Sequence, residues 1–196
     1  MARITMLTPD QLDPELRRRS NADERTSVEL GTTRILGHQP EMAKGLHAFT
    51  SSLKANRTLP DRLIELVRLR VAFHNQCRSC MAIRYPDALD DGLTEDLVCS
   101  LERPTESDDL DERERLAIRY GELLATNHLA LDDAFHDRMR ELFTEPEIVE
   151  LGLNVALFVG VGRLSATWDM VDDLPDRYRA AGEVTPWGAA DAIVVR

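Results

Sequence analysis

The chain has 196 residues, an ordinary hydrophobic content of 43%, few aromatics (5%) and a net charge of −11. That length suits one domain with enough chain to bury a sizeable core. The acidity argues against nucleic acid and anionic membranes as partners, and the scarcity of aromatics suits a helical protein packed with Leu, Val and Ala.

Residues 1–22 are polar, contain Pro9, Pro14 and Arg17 to Arg19, and read as an N-terminal arm with a helical turn or two. The start, Met-Ala-Arg-Ile-Thr-Met-Leu-Thr-Pro-Asp, has no apolar run resembling a signal peptide, so a cytoplasmic protein is expected. Residues 24–37 read as one helix ended by Gly37. Pro40 opens a second, with Met42, Leu46, Phe49 and Leu53 at helical spacing, ending near Asn56. Pro60 sits at the start of a third, where proline is tolerated.

In that third helix Glu65 stands among Leu63, Ile64, Leu66, Val67, Leu69, Val71, Ala72 and Phe73. A segment apolar on most faces is usually buried. A buried carboxylate costs free energy unless paired, and desolvation raises its pKa, as a general acid or base near neutral pH requires. Alternatively, Glu65 forms a structural ion pair with Arg68 or Arg62, each three residues away. The residues alone leave both readings open.

His74-Asn75-Gln76 ends the apolar run, and Cys77-Arg-Ser-Cys80 follows. In the first turn of a new helix two thiols at this spacing share a face. There the positive end of the helix dipole stabilises a thiolate, and one sulfur can attack while the other resolves. Arg78 and Arg84 add positive charge. Two other readings stand beside this one: a pair of small buried residues, or a zinc site that would need His74 and Cys99, since there is no second Cys pair. In one unbroken helix Glu65 and Cys77 would lie about 18 Å apart, at roughly 1.5 Å per residue. They can meet only if the chain turns, and Asn75-Gln76 is the place for that turn.

After Cys80 the helix is expected to run to about Tyr85, with Pro86 discouraging continuation. Thr94-Glu-Asp opens a short helix carrying Leu97, Val98 and Leu101, with Cys99 as a small core residue. An acidic connection covers 102–112. Ser107-Asp108-Asp109 is the expected cap of a helix from about 110 to 126, and Asp111 to Arg115 is its solvated face. A further helix spans 131–142, and His128 and His136 read as structural or surface residues. Thr144-Glu-Pro-Glu147 starts the last long helix, which runs to about Met170. It is apolar on most faces and carries Gly152, Gly160 and Gly162, which suits a core helix or an oligomer seam. Its apolar stretch, Leu151 to Gly162, is too short to span a membrane. Residues 174–196 read as an irregular tail. No glycine-rich phosphate loop is present, and no cofactor is expected.

The spacing Glu65-x11-Cys77-x2-Cys80 resembles the core motif of the carboxymuconolactone decarboxylase superfamily, and specifically its AhpD-like alkylhydroperoxidase branch. The lead-ins Arg34 to Leu46 and Leu59 to Glu65, the later Asp111-Glu-Arg-Glu-Arg and the apolar helix ending near Arg163 are also similar. The resemblance covers about residues 24–173 and implies a domain over 23–173 with a tail at 174–196. It implies an all-α helical bundle assembled as a homo-oligomer. The implied chemistry is thiol-dependent reduction of a hydroperoxide or a partner's disulfide, with Cys80 attacking, Cys77 resolving and Glu65 in a proton relay. Lipoyl or thioredoxin-like dithiols are the implied electron donors. The chain departs from the family pattern at one place: where the motif continues Cys-x3-His, it carries Arg84. An arginine does not shuttle protons near neutral pH. Arg84 is therefore a candidate for stabilising a thiolate or binding an anionic substrate, and His74 for the relay. Two alternatives use the same residues differently. One is a cofactor-free lyase resembling carboxymuconolactone decarboxylase itself, built on Glu65, His74 and Arg84. The other is a non-catalytic redox sensor or scaffold.

Overall fold

A computed structural model describes residues 1–195. The elements in chain order are α1 Pro14–Arg19, α2 Ser27–Leu30, α3 Thr33–Leu36, α4 Pro40–Ala55, α5 Asp61–His74, α6 Arg78–Ala82, β1 Ile83–Arg84, α7 Pro86–Asp90, α8 Glu95–Cys99, α9 Glu112–Thr126, α10 Asp133–Leu142, α11 Glu145–Trp168, α12 Asp176–Arg179 and β2 Ile193–Val194. The fold is all-α, with two residues in each strand.

The run of apolar residues in α5 makes it the central helix. It buries Leu63, Leu66, Val67 and Val71 and packs chiefly against α9 and α11. Full burial of each such side chain contributes about 1.5–3 kcal/mol. Gly121 lets α9 approach closely, since a β-carbon there would lie 2.8 Å from Val67 Cγ1. A second apolar cluster joins Ala72, Met81 and Ala82 to Leu174, Tyr178 and Val184. A third packs Leu12 and Leu16 of the N-terminal stretch against Leu30 and Ala43.

Several elements differ from the sequence reading. The helix expected over 24–37 is two short ones. Thr26 and Glu29 form a capping box that starts α2, and Gly31 at φ 46° ends it. The cap of α9 is Asp111, whose carboxylate accepts from Glu114 N–H while Glu114 accepts from Asp111 N–H. Glu114 is buried and pairs with Arg62, so the charged run there is only partly solvated. Cys99 is exposed, because Leu97 and Val98 take the core side of α8. The chain after Cys80 breaks at Ala82, runs extended through β1 and re-enters helix at Pro86.

The tail is more ordered than its composition suggests. β2 pairs in parallel with β1, Ile83 opposite Ile193 and Arg84 opposite Val194. The 24-residue α11 outruns the apolar stretch counted from the sequence, and is long and apolar enough by composition to cross a membrane. In the structure it buries Leu151, Val155 and Trp168 and leaves Val149 61% exposed, with Leu153 and Leu164 exposed beside it.

Candidate functional site

Gln76 creates the site's geometry. It adopts φ 49°, the left-handed region that non-glycine residues seldom enter. Its side chain fixes that turn: Nε2 donates to Phe73 O at 2.8 Å and to Val184 O at 3.2 Å, while Oε1 accepts from Val184 N–H at 3.0 Å. Asn75 adds a second anchor, donating to Phe158 O at 2.9 Å and accepting from Arg163 at 3.1 Å. The chain thus folds back after α5, and α6 begins with Cys77 as its N-cap.

Cys77 and Cys80 are joined by a disulfide, with Cα atoms 5.2 Å apart. The two sulfurs are in different surroundings. Cys77 is fully buried, whereas Cys80 is half-buried and lines a cavity of about 820 Å³ between α4, α5 and α11. Glu65, Arg68 and His47 line the same cavity. Glu65 is 2% exposed and held by Arg68 in a two-pronged ion pair, Nε to Oε2 at 2.6 Å and Nη2 to Oε1 at 2.7 Å. Arg68 also donates to the carbonyls of Cys80 at 2.6 Å and Ile83 at 3.0 Å, and its guanidinium lies over the Tyr85 ring. Burial opposes the charge on Arg68, but the Glu65 carboxylate outweighs it and raises the pKa further. Of the two partners that the sequence offered Glu65, Arg68 is the one in contact. Arg62 turns to Glu114.

The other two candidate residues lie off this cavity. His74 faces Glu122, Nε2 to Oε1 at 3.5 Å. Arg70 reaches the same carboxylate oxygen at 2.6 Å and also bonds Leu101 O at 2.7 Å. Burial would raise the Glu122 pKa, but bonds from His74, Arg70 and Arg119 hold it at about 2. Arg84 is 1% exposed and spends its donors on Glu95 at 2.8 and 3.0 Å and on the carbonyls of Met81, Ile83 and Pro186 at 2.8–2.9 Å. These bonds make it a tie between the Cys segment, α8 and the C-terminal segment.

His47 is the cavity residue that sequence reasoning missed. Its Nε2 lies 3.1 Å from Thr33 Oγ1, and burial, together with the charges of Arg25 and Arg19, lowers its pKa. The Leu46 and Leu53 spacing marked a helix face, but nothing local showed that α4 lines the cavity that Cys80 also lines.

Residues 40–123 match the model of the Carboxymuconolactone decarboxylase family. An uncharacterized protein of Mycobacterium tuberculosis, present in two strains, is 38% identical over 111 residues. That alignment covers 56% of this chain and 38% of the relative, so the chain spans well under half the length of the curated relatives it matches. The crystal structure of an alkylhydroperoxidase AhpD core, an uncharacterized peroxidase-related protein from Ralstonia eutropha, superimposes with a TM-score of 0.74 at 16% identity. The superposition covers 94% of this chain and 97% of that one. The match spans α4, α5, the Cys77–Cys80 pair and most of α9, so residues 40–123 match the carboxymuconolactone decarboxylase family, and the chain as a whole has an AhpD-like fold.

Proposed function

We propose that the protein is a thiol-dependent reductase of hydroperoxides, with Cys80 as the attacking thiol and Cys77 as the resolving one. The observation that carries this reading is the asymmetry of the pair: bonded sulfurs, Cys80 on the cavity and Cys77 buried behind it. In the reduced protein the Cys80 thiolate attacks the outer peroxide oxygen. The O–O bond breaks, the alkoxide leaves as an alcohol after taking a proton, and Cys80 becomes a sulfenic acid. The Cys77 thiolate then displaces hydroxide, which leaves as water, and the disulfide forms. A dithiol donor of lipoyl or thioredoxin type returns both electrons by exchange. Glu65, on the same cavity, is the proton-handling residue, and Arg68 fixes its carboxylate.

The family match and the peroxidase-related structural relative support this reading, as does the resemblance of the Glu65, Cys77 and Cys80 spacing to the family motif. Homo-oligomeric assembly in the cytoplasm completes the proposal. The exposed apolar residues of α4 and α11, among them Met42 at 75% and Val149, fit a subunit seam.

The test is a stoichiometric hydroperoxide pulse on the reduced protein, with thiol counting and peptide mapping. A Cys77–Cys80 disulfide that forms, is reversed by a dithiol and forms again on the next pulse supports the reading. Two thiols still free after the pulse, or peroxide consumption unchanged in Cys80→Ser, would end it.

A further inference from the structure

We propose that Arg25 docks a carboxylate, and that the cavity's substrate is an amphipathic organic hydroperoxide bearing one. The inference rests on the hydroperoxide reading above and names its substrate class.

Six cationic side chains line the cavity: Arg19, Arg25, Arg34, Lys54, Arg57 and Arg68. Five are committed to carboxylates, namely Arg19 to Glu15, Arg34 to Asp173, Lys54 to Asp87, Arg57 to Asp61 and Arg68 to Glu65. Among the described residues no carboxylate pairs with Arg25. Carboxylates are not scarce, since the chain has 35 Asp and Glu against 24 Lys and Arg. Arg25 is close enough to His47 to act on its charge, and burial together with Arg25 and Arg19 favours the neutral imidazole. Arg25 itself is exposed on the cavity wall, so its guanidinium is open to an incoming anion. Its planar fork suits two-point bonding to a carboxylate.

The rest of the wall is mixed: hydroxyl side chains and carboxylates, Glu29 and Asp172 among them, stand beside an apolar stretch. Leu46, Leu53, Leu157, Phe158 and Val161 make that apolar stretch, and Cys80 opens onto the same space. At about 820 Å³ the cavity is at the upper end of small-molecule pockets, roughly 300–1,000 Å³. A molecule the size of hydrogen peroxide would leave most of it empty, a water's share being about 30 Å³. A hydrocarbon body with a carboxylate at Arg25 and a peroxide at Cys80 uses all three features. Reaction with the reduced pair gives the corresponding hydroxy acid, one water and the Cys77–Cys80 disulfide.

The experiment compares a long-chain fatty-acid hydroperoxide with its methyl ester, in single-turnover oxidation of the reduced protein at low ionic strength. One charge-assisted bond is worth about tenfold or more. The expected result is an acid-to-ester rate ratio of at least ~10 in the wild type, close to one in Arg25→Gln and intermediate in Arg25→Lys. A ratio near one in the wild type, or one that Arg25→Gln does not move, overturns the inference. Calorimetric binding of the hydroxy acid separates this from the activity itself. If no hydroperoxide oxidises the thiols but the hydroxy acid binds about tenfold more weakly to Arg25→Gln than to wild type, the carboxylate site stands and the peroxidase reading falls. If the hydroxy acid does not bind, or binds both proteins equally, the site falls.

Discussion

Arg68 ties Glu65 to Cys80: one guanidinium grips the Glu65 carboxylate at 2.6 and 2.7 Å and the Cys80 carbonyl at 2.6 Å. The helix that carries the proton-handling candidate and the short helix α6 that carries Cys80 are thus tied through one side chain. Removing one partner of a buried pair leaves an uncompensated charge and typically costs about 3–5 kcal/mol. Arg68→Met is expected to lose that much in urea unfolding. Replacing both residues, in Glu65→Leu with Arg68→Met, should recover part of the loss. Additive losses in the double variant would mean that the two side chains do not act as a pair.

Arg84 stands where the motif that the sequence resembles continues with histidine, and its surroundings are built around a guanidinium. It is enclosed and makes five hydrogen bonds, two to Glu95, one to Pro186 O and two to the Met81 and Ile83 carbonyls. An imidazole cannot reach so many acceptors. Arg84→His is expected to lower stability by ~2–4 kcal/mol, as loss of a buried, charged donor set does, and to loosen the β1–β2 pairing. Hydrogen exchange at Val195 N–H, bonded to Arg84 O at 3.0 Å, reads the loosening directly. Faster turnover in Arg84→His at undiminished stability would contradict this assignment.

The residues of the site were legible to different depths. The Cys pair, the Glu65 helix and the Pro60 and Pro146 helix starts stand in local spacing and capping chemistry. The fold class followed from the same periodicities together with the family resemblance. The destination of each charge was not local. Arg68, three residues from Glu65, was readable as its partner, but the bonds to Cys80 O and Ile83 O depend on the turn at Gln76. Arg84 looked free to meet an anion because Glu95 on α8 and Pro186 in the tail meet it only in the folded chain. His74 stands beside the Cys pair in sequence, yet α5 points it at Glu122 on α9. His47 lay out of view because it shares a cavity with Cys80 only in the folded chain, 33 residues away in sequence.

Gly162 is a contact that a side chain would destroy. A β-carbon there would lie 2.7 Å from Asn75 Nδ2, the atom that donates to Phe158 O. Gly162→Ala should therefore push Asn75 off its anchor, even though alanine is the better helix former by roughly 1 kcal/mol. A net loss of ~1–3 kcal/mol is expected, as in overpacked interiors. Asn75→Ala should largely remove the steric penalty, so the double variant will be more stable than the sum of the singles predicts. Chemical denaturation of the four proteins checks it. A stabilising Gly162→Ala would show that Asn75 yields freely.

Glu122 gives the fold a pH dependence of defined sign. Its carboxyl is held at about 2, against an ordinary value of 4.5. A depressed carboxylate stabilises the folded state fully above its unfolded pKa, and that stabilisation is lost as pH falls from about 4.5 through 2. A shift of this size corresponds to on the order of 3 kcal/mol at neutral pH. Glu122→Gln should therefore unfold more easily than wild type at pH 7, and the gap should narrow at pH 3, where the wild type has already lost a good part of the contribution. The variant also leaves Arg70, which reaches between Leu101 O and the Phe73 and Trp187 rings, without its carboxylate. Urea unfolding at the two pH values decides the matter: a gap of constant size would assign the effect to packing around Arg70 rather than to the ionised carboxylate.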